Sequence, residues 1–111
     1  MELVIRPAER EDLKEIWHLL HANTIAWTDE RIRAELARLW VMFEDTKMLG
    51  VLAGTFETRK EKLDWVAIHP LYPEKRLREA MIKGVCSLLR LPEGTKKRLL
   101  SKCQLILGFG L

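Results

Sequence analysis

Three carboxylates that lie close together in the sequence are the first candidates for chemistry. Glu57 ends one apolar stretch, and Glu61 and Asp64 fall at the start of the next, EKLDWVAI. A carboxylate beside a substrate can accept a proton from an attacking group, so these residues are candidate catalytic bases. A solvated acid at the end of a strand is the simpler explanation of each. The sequence leaves both interpretations open.

A second candidate is the stretch HPLYPEKRLREAM, residues 69–81, which joins a strand-like run to a helix-like run. The start of a helix presents unpaired backbone N–H groups and the positive end of its dipole, so such a turn is a natural phosphate site. Lys75, Arg76 and Arg78 add positive charge there, and Glu74 adds a negative one. Phosphate turns usually carry glycine, and this turn has none. It is either an ordinary connection or a phosphate turn whose glycines are replaced.

The remaining reactive side chains give weaker signals. His18 and His21 are three residues apart, so they share a helix face, but no further metal ligands accompany them. Cys86 and Cys103 have no metal-type spacing and are expected to be reduced, partly buried thiols. His69 precedes a proline after the strand, where it could line a ligand. No metal site is predicted.

Composition favours one domain spanning residues 1–111. The chain is 48% hydrophobic and has 111 residues, which suits one small core. The sequence has no run of about 18 apolar residues, so no membrane span is predicted. The charged start, MELVIRPAERED, is unlike a secretory signal, so a cytoplasmic location is expected.

The net charge of +3 is unevenly distributed. Acids outnumber bases in residues 1–58, and bases outnumber acids in residues 59–111. This asymmetry indicates an anionic ligand on the basic side. Nucleic acid is an unfavoured partner, because Trp65, Tyr72 and Phe109 are the only aromatic residues of the basic half and form no stacking pattern.

Hydrophobic periodicity predicts an α+β fold with a central, mostly antiparallel sheet flanked by helices. Strands are predicted at residues 3–6, 39–45, 48–57 and 61–68, and helices at residues 8–23, 28–39, 74–89 and 95–102. The last nine residues, CQLILGFGL, fit either a strand or the end of a helix, and we expect part of this apolar tail to be buried. Thr28 is the predicted N-cap of the second helix, and Asn23 the stop of the first.

Alternation also predicts which side chains face the core. In EKLDWVAI, Leu63, Trp65 and Ala67 are expected on one face, and Asp64, Val66 and Ile68 on the other. The helix from residue 74 is expected to bury its apolar positions, including Leu88 and Leu89.

This order of elements resembles the GNAT superfamily of acyl-CoA-dependent N-acyltransferases over about residues 3–90. LVIRPAEREDLKEIWHLL is similar to the family's first strand and helix, and FEDTKMLGVLAGTFE to its second and third strands. WVAIHPLYPEKRLREAM looks like its fourth strand and acyl-CoA turn. The resemblance implies acetyl-CoA as cofactor, held by Val66, Ala67, Ile68, Lys75, Arg76, Leu77 and Arg78. It also implies an acceptor site bordered by Trp27, whereas Trp17, Trp40 and Trp65 are expected in the core or on the sheet.

The acyl-CoA turn is a degenerate form of the family motif. The pattern of Arg or Gln, two residues, Gly, any residue, then Gly or Ala aligns with Pro73 to Arg78, so both small positions are arginines. Either backbone N–H groups and arginines still bind a phosphate, or the long side chains fill its space. The loss of both small positions beside Glu74 favours the second. The family's tyrosine acid also aligns with Gln104, and the sheet is expected to be short, with its last strand position open or completed by a partner chain.

Two function hypotheses follow from this resemblance. The first is an N-acyltransferase that moves an acetyl group from acetyl-CoA to a small amine or a protein amino group, with Glu57, Glu61 and Asp64 as the available bases. The second is a catalytically inactive binding or interaction module, with a homodimer as one form of it.

Overall fold

The computed structural model describes residues 2–57 and 60–109, with side chains through Ser101 apart from that of Lys60. The elements follow the chain in this order: β1 (Leu3–Pro7), a 3-10 turn (Arg10–Asp12), α1 (Leu13–Ala22), α2 (Asp29–Ala34), a second 3-10 turn (Leu36–Arg38), β2 (Leu39–Glu44), β3 (Lys47–Glu57), β4 (Lys60–Ile68), α3 (Glu74–Leu88) and α4 (Glu93–Phe109).

The four strands form one antiparallel sheet in the order β1-β2-β3-β4. In its centre, Val51 of β3 lies opposite Val41 of β2 and Ala67 of β4. Helices cover the sheet on both faces, so the predicted fold class is confirmed. Within the described residues, β1 and β4 are the edge strands.

Two separate hydrophobic clusters hold the helices on the sheet. One joins α1 and α2 to one face and is centred on Ile16, Leu20, Ile32, Val41 and Val51. The other joins α3 and α4 to the opposite face and includes Met42, Leu52, Met81, Val85 and Leu99. By alternation β2, β3 and β4 each contribute to both clusters, which places β4 between the two helical layers, whereas β1 contributes Leu3 and Ile5 to the second cluster.

A β-bulge in β4 makes the predicted facing of one residue wrong. Trp65 pairs with Ala53 and Leu63 pairs with Gly54, so Asp64 is an extra residue with no partner on β3. An extra residue reverses the alternation on one side of the bulge. Leu63 therefore packs with the α3 side rather than with Trp65 and Ala67 on the α1 side.

An ion pair between a partly exposed arginine and a buried aspartate fixes the start of α1. The guanidinium of Arg6 donates to both oxygens of Asp12, at 2.8 and 3.0 Å, and the N–H of Glu9 donates to the same carboxylate at 2.8 Å. Burial alone raises the pKa of Asp12, but the hydrogen bonds from Arg6 and Glu9 outweigh it and leave the pKa below its ordinary value. This pair gives a structural reason for Arg6 and Asp12 in the stretch LVIRPAEREDLKEIWHLL.

The second helix is shorter than the sequence indicates. The hydroxyl of Thr28 accepts from the N–H of Arg31 at 3.2 Å, so the predicted N-cap is confirmed. The helix ends at Ala34 instead of continuing to residue 39. A 3-10 turn follows, and Arg38 at its end donates to Thr55 of β3 and Asp64 of β4.

The C-terminal helices differ from the prediction in two ways. Leu88 and Leu89 are 56% and 38% exposed, so their predicted core position is wrong; they fall at the end of α3, beyond its packed face. The backbone of α4 is helical to Phe109, which excludes the strand alternative for the described tail. The predicted burial of that tail lies outside the described side chains. No described helix is long and apolar enough to span a membrane.

Candidate ligand site at the β4–α3 turn

The predicted cofactor-binding segment of β4 presents backbone rather than side chains. The N–H of His69 donates to the carbonyl of Leu49 at 2.8 Å. Because hydrogen bonding alternates along an antiparallel strand, the N–H and C=O groups of Val66 and Ile68 point away from β3. The side chains of Val66, Ala67 and Ile68 are buried in the two clusters. A ligand at this edge would therefore meet the main chain.

No described strand pairs with the outer edge of β4. Part of it is covered by Asn23, whose side-chain amide donates to the carbonyl of Ile68 at 3.0 Å and to that of Leu19 at 2.9 Å. The sequence marked Asn23 only as the end of α1, and gave no sign of its contact with a strand 45 residues later. The expectation that the last strand position is open, or completed by a partner chain, stays a prediction.

The start of α3 offers three backbone donors. The first helical hydrogen bond runs from the N–H of Leu77 to the carbonyl of Pro73, at 3.1 Å. The N–H groups of Glu74, Lys75 and Arg76 precede this bond, and the side chain of Pro73 gives no cap. Three N–H groups at the positive end of a 15-residue helix form the geometry that binds an anion.

The structure separates the two arginines of the turn. Arg76 and its neighbour Lys75 are exposed, whereas the side chain of Arg78 is only 8% exposed. Arg78 pairs with Glu74 one helical turn earlier, and its buried Nε has no hydrogen-bond partner among the described residues. Leu77 belongs to the core cluster under α3. Of the predicted cationic ligands, Arg78 is therefore the one with an unmet hydrogen-bonding need.

A small cleft lies where the β4 edge, the turn and α1 meet. It has a volume of about 280 Å³, and its lining includes Asn23, Ile68, His69, Tyr72 and Glu74. The rings of His69 and Tyr72 meet edge to face, with centroids 5.2 Å apart. The cleft therefore adjoins both the partly open strand edge and the carboxylate that holds Arg78.

Asp64, a predicted base, is engaged in an ion pair. It accepts from the Nη2 of Arg38 at 2.5 Å, and Arg38 also donates to Glu35 and to the hydroxyl of Thr55. The Nζ of Lys62 lies 3.6 Å from the other carboxylate oxygen of Asp64. The hydrogen bond to Asp64 is the main reason why the pKa of Arg38 is raised. Both oxygens of Asp64 therefore have a cationic neighbour, and neither is free to meet a substrate without a rearrangement.

The other two predicted bases lie apart from Asp64. Glu61 accepts from Arg98 at 2.8 Å and from the hydroxyl of Thr95 at 3.1 Å, so it joins β4 to α4. Glu57 is exposed at the far end of β3. The structure thus does not gather the three predicted carboxylates into one site.

Trp27, the predicted acceptor-site residue, is packed within the fold. It is 8% exposed, meets the ring of Trp65 edge to face with centroids 5.2 Å apart, and carries the guanidinium of Arg31 over its own ring. On α1, Trp17 stacks on the ring of His21, at 3.8 Å between centroids. These contacts explain both tryptophans as packing residues.

Comparison with known proteins gives matches in structure alone. Neither the protein-family models nor the curated protein sequences contain a match to this chain. Among solved structures, the ribosomal-protein-S18-alanine N-acetyltransferase from Escherichia coli is 17% identical, with a TM-score of 0.68 over 79% of this chain. N-acetylglutamate synthase from Neisseria gonorrhoeae, solved with coenzyme A and N-acetyl-glutamate, is 15% identical, with a TM-score of 0.66 over 81% of this chain.

A third match, an acetyltransferase of the GNAT family from Streptococcus pneumoniae, is 21% identical, with a TM-score of 0.62 over 78% of this chain. The matched region covers 59% of the Escherichia coli chain, 23% of the Neisseria gonorrhoeae chain and 66% of the Streptococcus pneumoniae chain. Each share is less than two thirds of the matched protein. At such low identities the likeness concerns the fold. The chain has the fold of the GNAT-family acetyltransferases.

Proposed function

We propose that this chain is an acyl-CoA-dependent N-acyltransferase. Acetyl-CoA would lie along the outer edge of β4, with its diphosphate at the start of α3, and the acceptor would be the amino group of a small molecule or a protein. The proposal is supported by the fold and by a neighbour in that fold that was solved with coenzyme A. One observation on this chain carries it, namely the buried guanidinium of Arg78.

A buried guanidinium needs several acceptors. It has five N–H donors and cannot lose its charge, so burial with few partners is costly. Glu74 supplies one partner, and the Nε of Arg78 has none among the described residues. A phosphate at the start of α3 would supply oxygens to both Arg78 and the unpaired N–H groups. In the family motif, small residues let the backbone come close to the phosphate. Here the side chain of Arg78 would contact the phosphate instead.

Glu74 opposes an anion less than its charge suggests. Its carboxylate is 51% exposed and is paired with Arg78, so much of its field is cancelled locally. The exposed Lys75 and Arg76 add two positive charges to the same helical turn. The balance of charge at the turn is therefore positive, which supports binding of a diphosphate.

Acyl transfer also needs proton movement. The amine attacks the thioester carbonyl, the C–S bond breaks, the amine loses a proton and the thiolate gains one. Asp64 would accept the amine proton only after separating from Arg38, because the oxygen that would take the proton is held in that ion pair. A second candidate function, a module that binds acyl-CoA without transferring the acyl group, is favoured by this ion pair.

Calorimetric titration with coenzyme A tests the binding step. We expect the wild-type chain to bind, with an affinity that falls as salt is added. Arg78→Met keeps the apolar stem and removes the guanidinium, and it should weaken binding about tenfold or more, since hydrogen bonds to charged groups contribute about 1.5–3 kcal/mol. Lys83→Met is the matched control, because it removes an exposed charge from the same helix far from the turn.

The result that contradicts this reasoning is equally specific. If Arg78 fills the space of the phosphate, Arg78→Gly should improve binding, although glycine in the first turns costs up to about 1 kcal/mol of helix stability. A wild-type chain that shows no heat with coenzyme A would refute the proposed site. Thiol release from acetyl-CoA with a panel of amines then separates the two candidates, because a binding module releases none.

A further inference from the structure

A second and larger cleft lies behind the β4–α3 turn, on the α1 side of the sheet. Its volume is about 440 Å³, within the range of small-molecule sites. One wall is α1, the opposite wall is the start of β3 with the turn before it, and His69 with Pro70 closes the end. Four apolar residues line it, namely Leu19, Ala22, Met48 and Pro70. It touches the smaller cleft only at Ala22, His69 and Pro70.

The two walls of this cleft carry opposite charges. Glu15 stands on the α1 wall and Lys47 on the β3 wall. Neither side chain forms an ion pair with any described residue. The nine ion pairs that the structure describes all involve other residues. The ammonium of Lys47 lies 5.2 Å from the centroid of the Tyr72 ring, which positions it beside the turn. The cleft thus holds one unpaired anion and one unpaired cation.

Two imidazoles add hydrogen-bonding groups to the cleft. His69 accepts at its Nδ1 from the N–H of Leu71, at 3.2 Å, which leaves its Nε2 available to a ligand. His18 lies on the α1 wall beside Glu15 and is exposed. Both rings line the cleft and can form hydrogen bonds with a polar ligand.

This arrangement favours some ligand classes over others. A phosphate would be repelled by Glu15, and a metal cation by Lys47. A purely apolar molecule would leave both charges partly desolvated without compensation. A small zwitterion satisfies both, because its ammonium can pair with the carboxylate while its own carboxylate pairs with the ammonium. The apolar lining then accommodates an aliphatic side chain.

We propose that the cleft between α1 and the start of β3 is a binding site for a free α-amino acid with an apolar side chain. Glu15 binds the ligand's ammonium, and Lys47 binds its carboxylate. The site is separate from the outer edge of β4. It shares only His69 and Pro70 with the β4–α3 turn. It does not depend on the binding of coenzyme A.

The test is a titration of the full chain with individual amino acids in the absence of coenzyme A. L-alanine, L-valine, L-leucine and L-methionine are the probes, and the amide resonances of Leu19, Lys47 and His69 are followed by NMR. We expect saturable shifts at these positions for at least one probe. The N-acetyl derivative and the carboxamide of that probe each lack one charge, and each should bind about tenfold more weakly, a difference of about 1.4 kcal/mol.

Two variants assign each charge to its partner. Glu15→Gln should weaken the amino acid about tenfold and abolish its advantage over the N-acetyl derivative, while keeping the advantage over the carboxamide. Lys47→Gln should do the reverse. Both side chains are exposed, so folding is preserved. The matched controls Glu30→Gln and Lys97→Gln change exposed charges outside the cleft and should leave binding unaltered.

Three outcomes would overturn the proposal. They are the absence of saturable shifts for all four amino acids, equal binding of the derivatives that lack one charge, and unchanged binding by both cleft variants. Because no coenzyme A is present, each of them leaves the proposed acyltransferase function standing. Failure of the coenzyme A titration likewise leaves this site standing.

Discussion

The contact between α3 and β1 is tight enough to predict the effect of a single methyl group. A Cβ placed on Gly84 would lie 2.3 Å from the Cδ1 of Ile5, while the next nearest atom, the Cγ1 of Ile5, would be 3.5 Å away. The first distance is a severe overlap, and the second is ordinary van der Waals contact. Gly84 does not have a positive φ, so alanine is compatible with its backbone. The substitution Gly84→Ala therefore isolates one steric conflict.

Two opposing terms set the magnitude. Alanine in a helix interior is about 1 kcal/mol more favourable than glycine. Overpacking of a filled interior costs about 1–3 kcal/mol. Cδ1 is the end of a side chain, so Ile5 must change its rotamer, and because it is half-buried against the α3 cluster that change alters packing there. We expect Gly84→Ala to lower the free energy of unfolding by about 1 kcal/mol.

The matching change is Ile5→Val, which deletes the overlapping carbon. Alone it should cost about 1 kcal/mol, the usual loss for a buried methyl group. In the double variant the overlap is gone and the helix gain remains, so stability should return close to that of the wild type. The two changes should thus be coupled by about 2 kcal/mol rather than add independently.

Urea unfolding followed by circular dichroism measures all four proteins. Gly94→Ala is the control for helix propensity, because a Cβ at Gly94 in α4 would meet no atom within 4 Å. It should be neutral or stabilising by up to about 1 kcal/mol. Additive effects of the Gly84 and Ile5 changes would refute the packing described here, and so would a Gly84→Ala protein more stable than the wild type.

Three further predictions concern polar and reactive groups. Asp12→Asn should lower the free energy of unfolding by about 2 kcal/mol at neutral pH. The folded-state pKa of Asp12 is lowered, so its stabilising contribution is present above the ordinary aspartate pKa and is lost as the pH falls through the lowered folded-state pKa. Acid titration of both proteins should therefore show the difference in stability shrinking as the pH falls. Asn23→Ala should cost about 1–2 kcal/mol in urea unfolding, because it leaves the carbonyl of Ile68 without its donor, and an unchanged midpoint would contradict that contact. Burial raises the pKa of the Cys86 thiol, so in a Cys103→Ser background Cys86 should react with a disulfide reagent only as fast as the chain unfolds, and rapid labelling of the native protein would disprove its burial.

The sequence predicted elements whose residues follow a regular period. The change from helical to alternating spacing at residue 39, and back at residue 74, located three strands and α3. The hydroxyl of Thr28 gave a correct cap because capping depends only on neighbours in the chain. Local signals of this kind were sufficient for the fold class.

The site required contacts that no local pattern records. Arg38 reaches Asp64 across 26 residues, and Glu61 meets Arg98 across 37. Such pairs turn candidate bases into structural ion pairs, and the sequence shows only that the charges exist. The bulge at Asp64 likewise follows from how β4 pairs with β3, since alternation within one strand cannot reveal an extra residue.

The order of the strands has a consequence for how the chain folds. Only two residues of sequence separate β2 from β3 and β3 from β4, so the pairing of these strands closes only small loops. β1 instead meets β2 with Leu3 opposite Glu44, after both helices of the α1 layer have intervened. Closing that longer loop costs more chain entropy, and β1 gains the pairing of one strand only. We therefore expect the three-stranded meander to form early, and β1 to be the last strand to dock and the first to exchange its amide hydrogens.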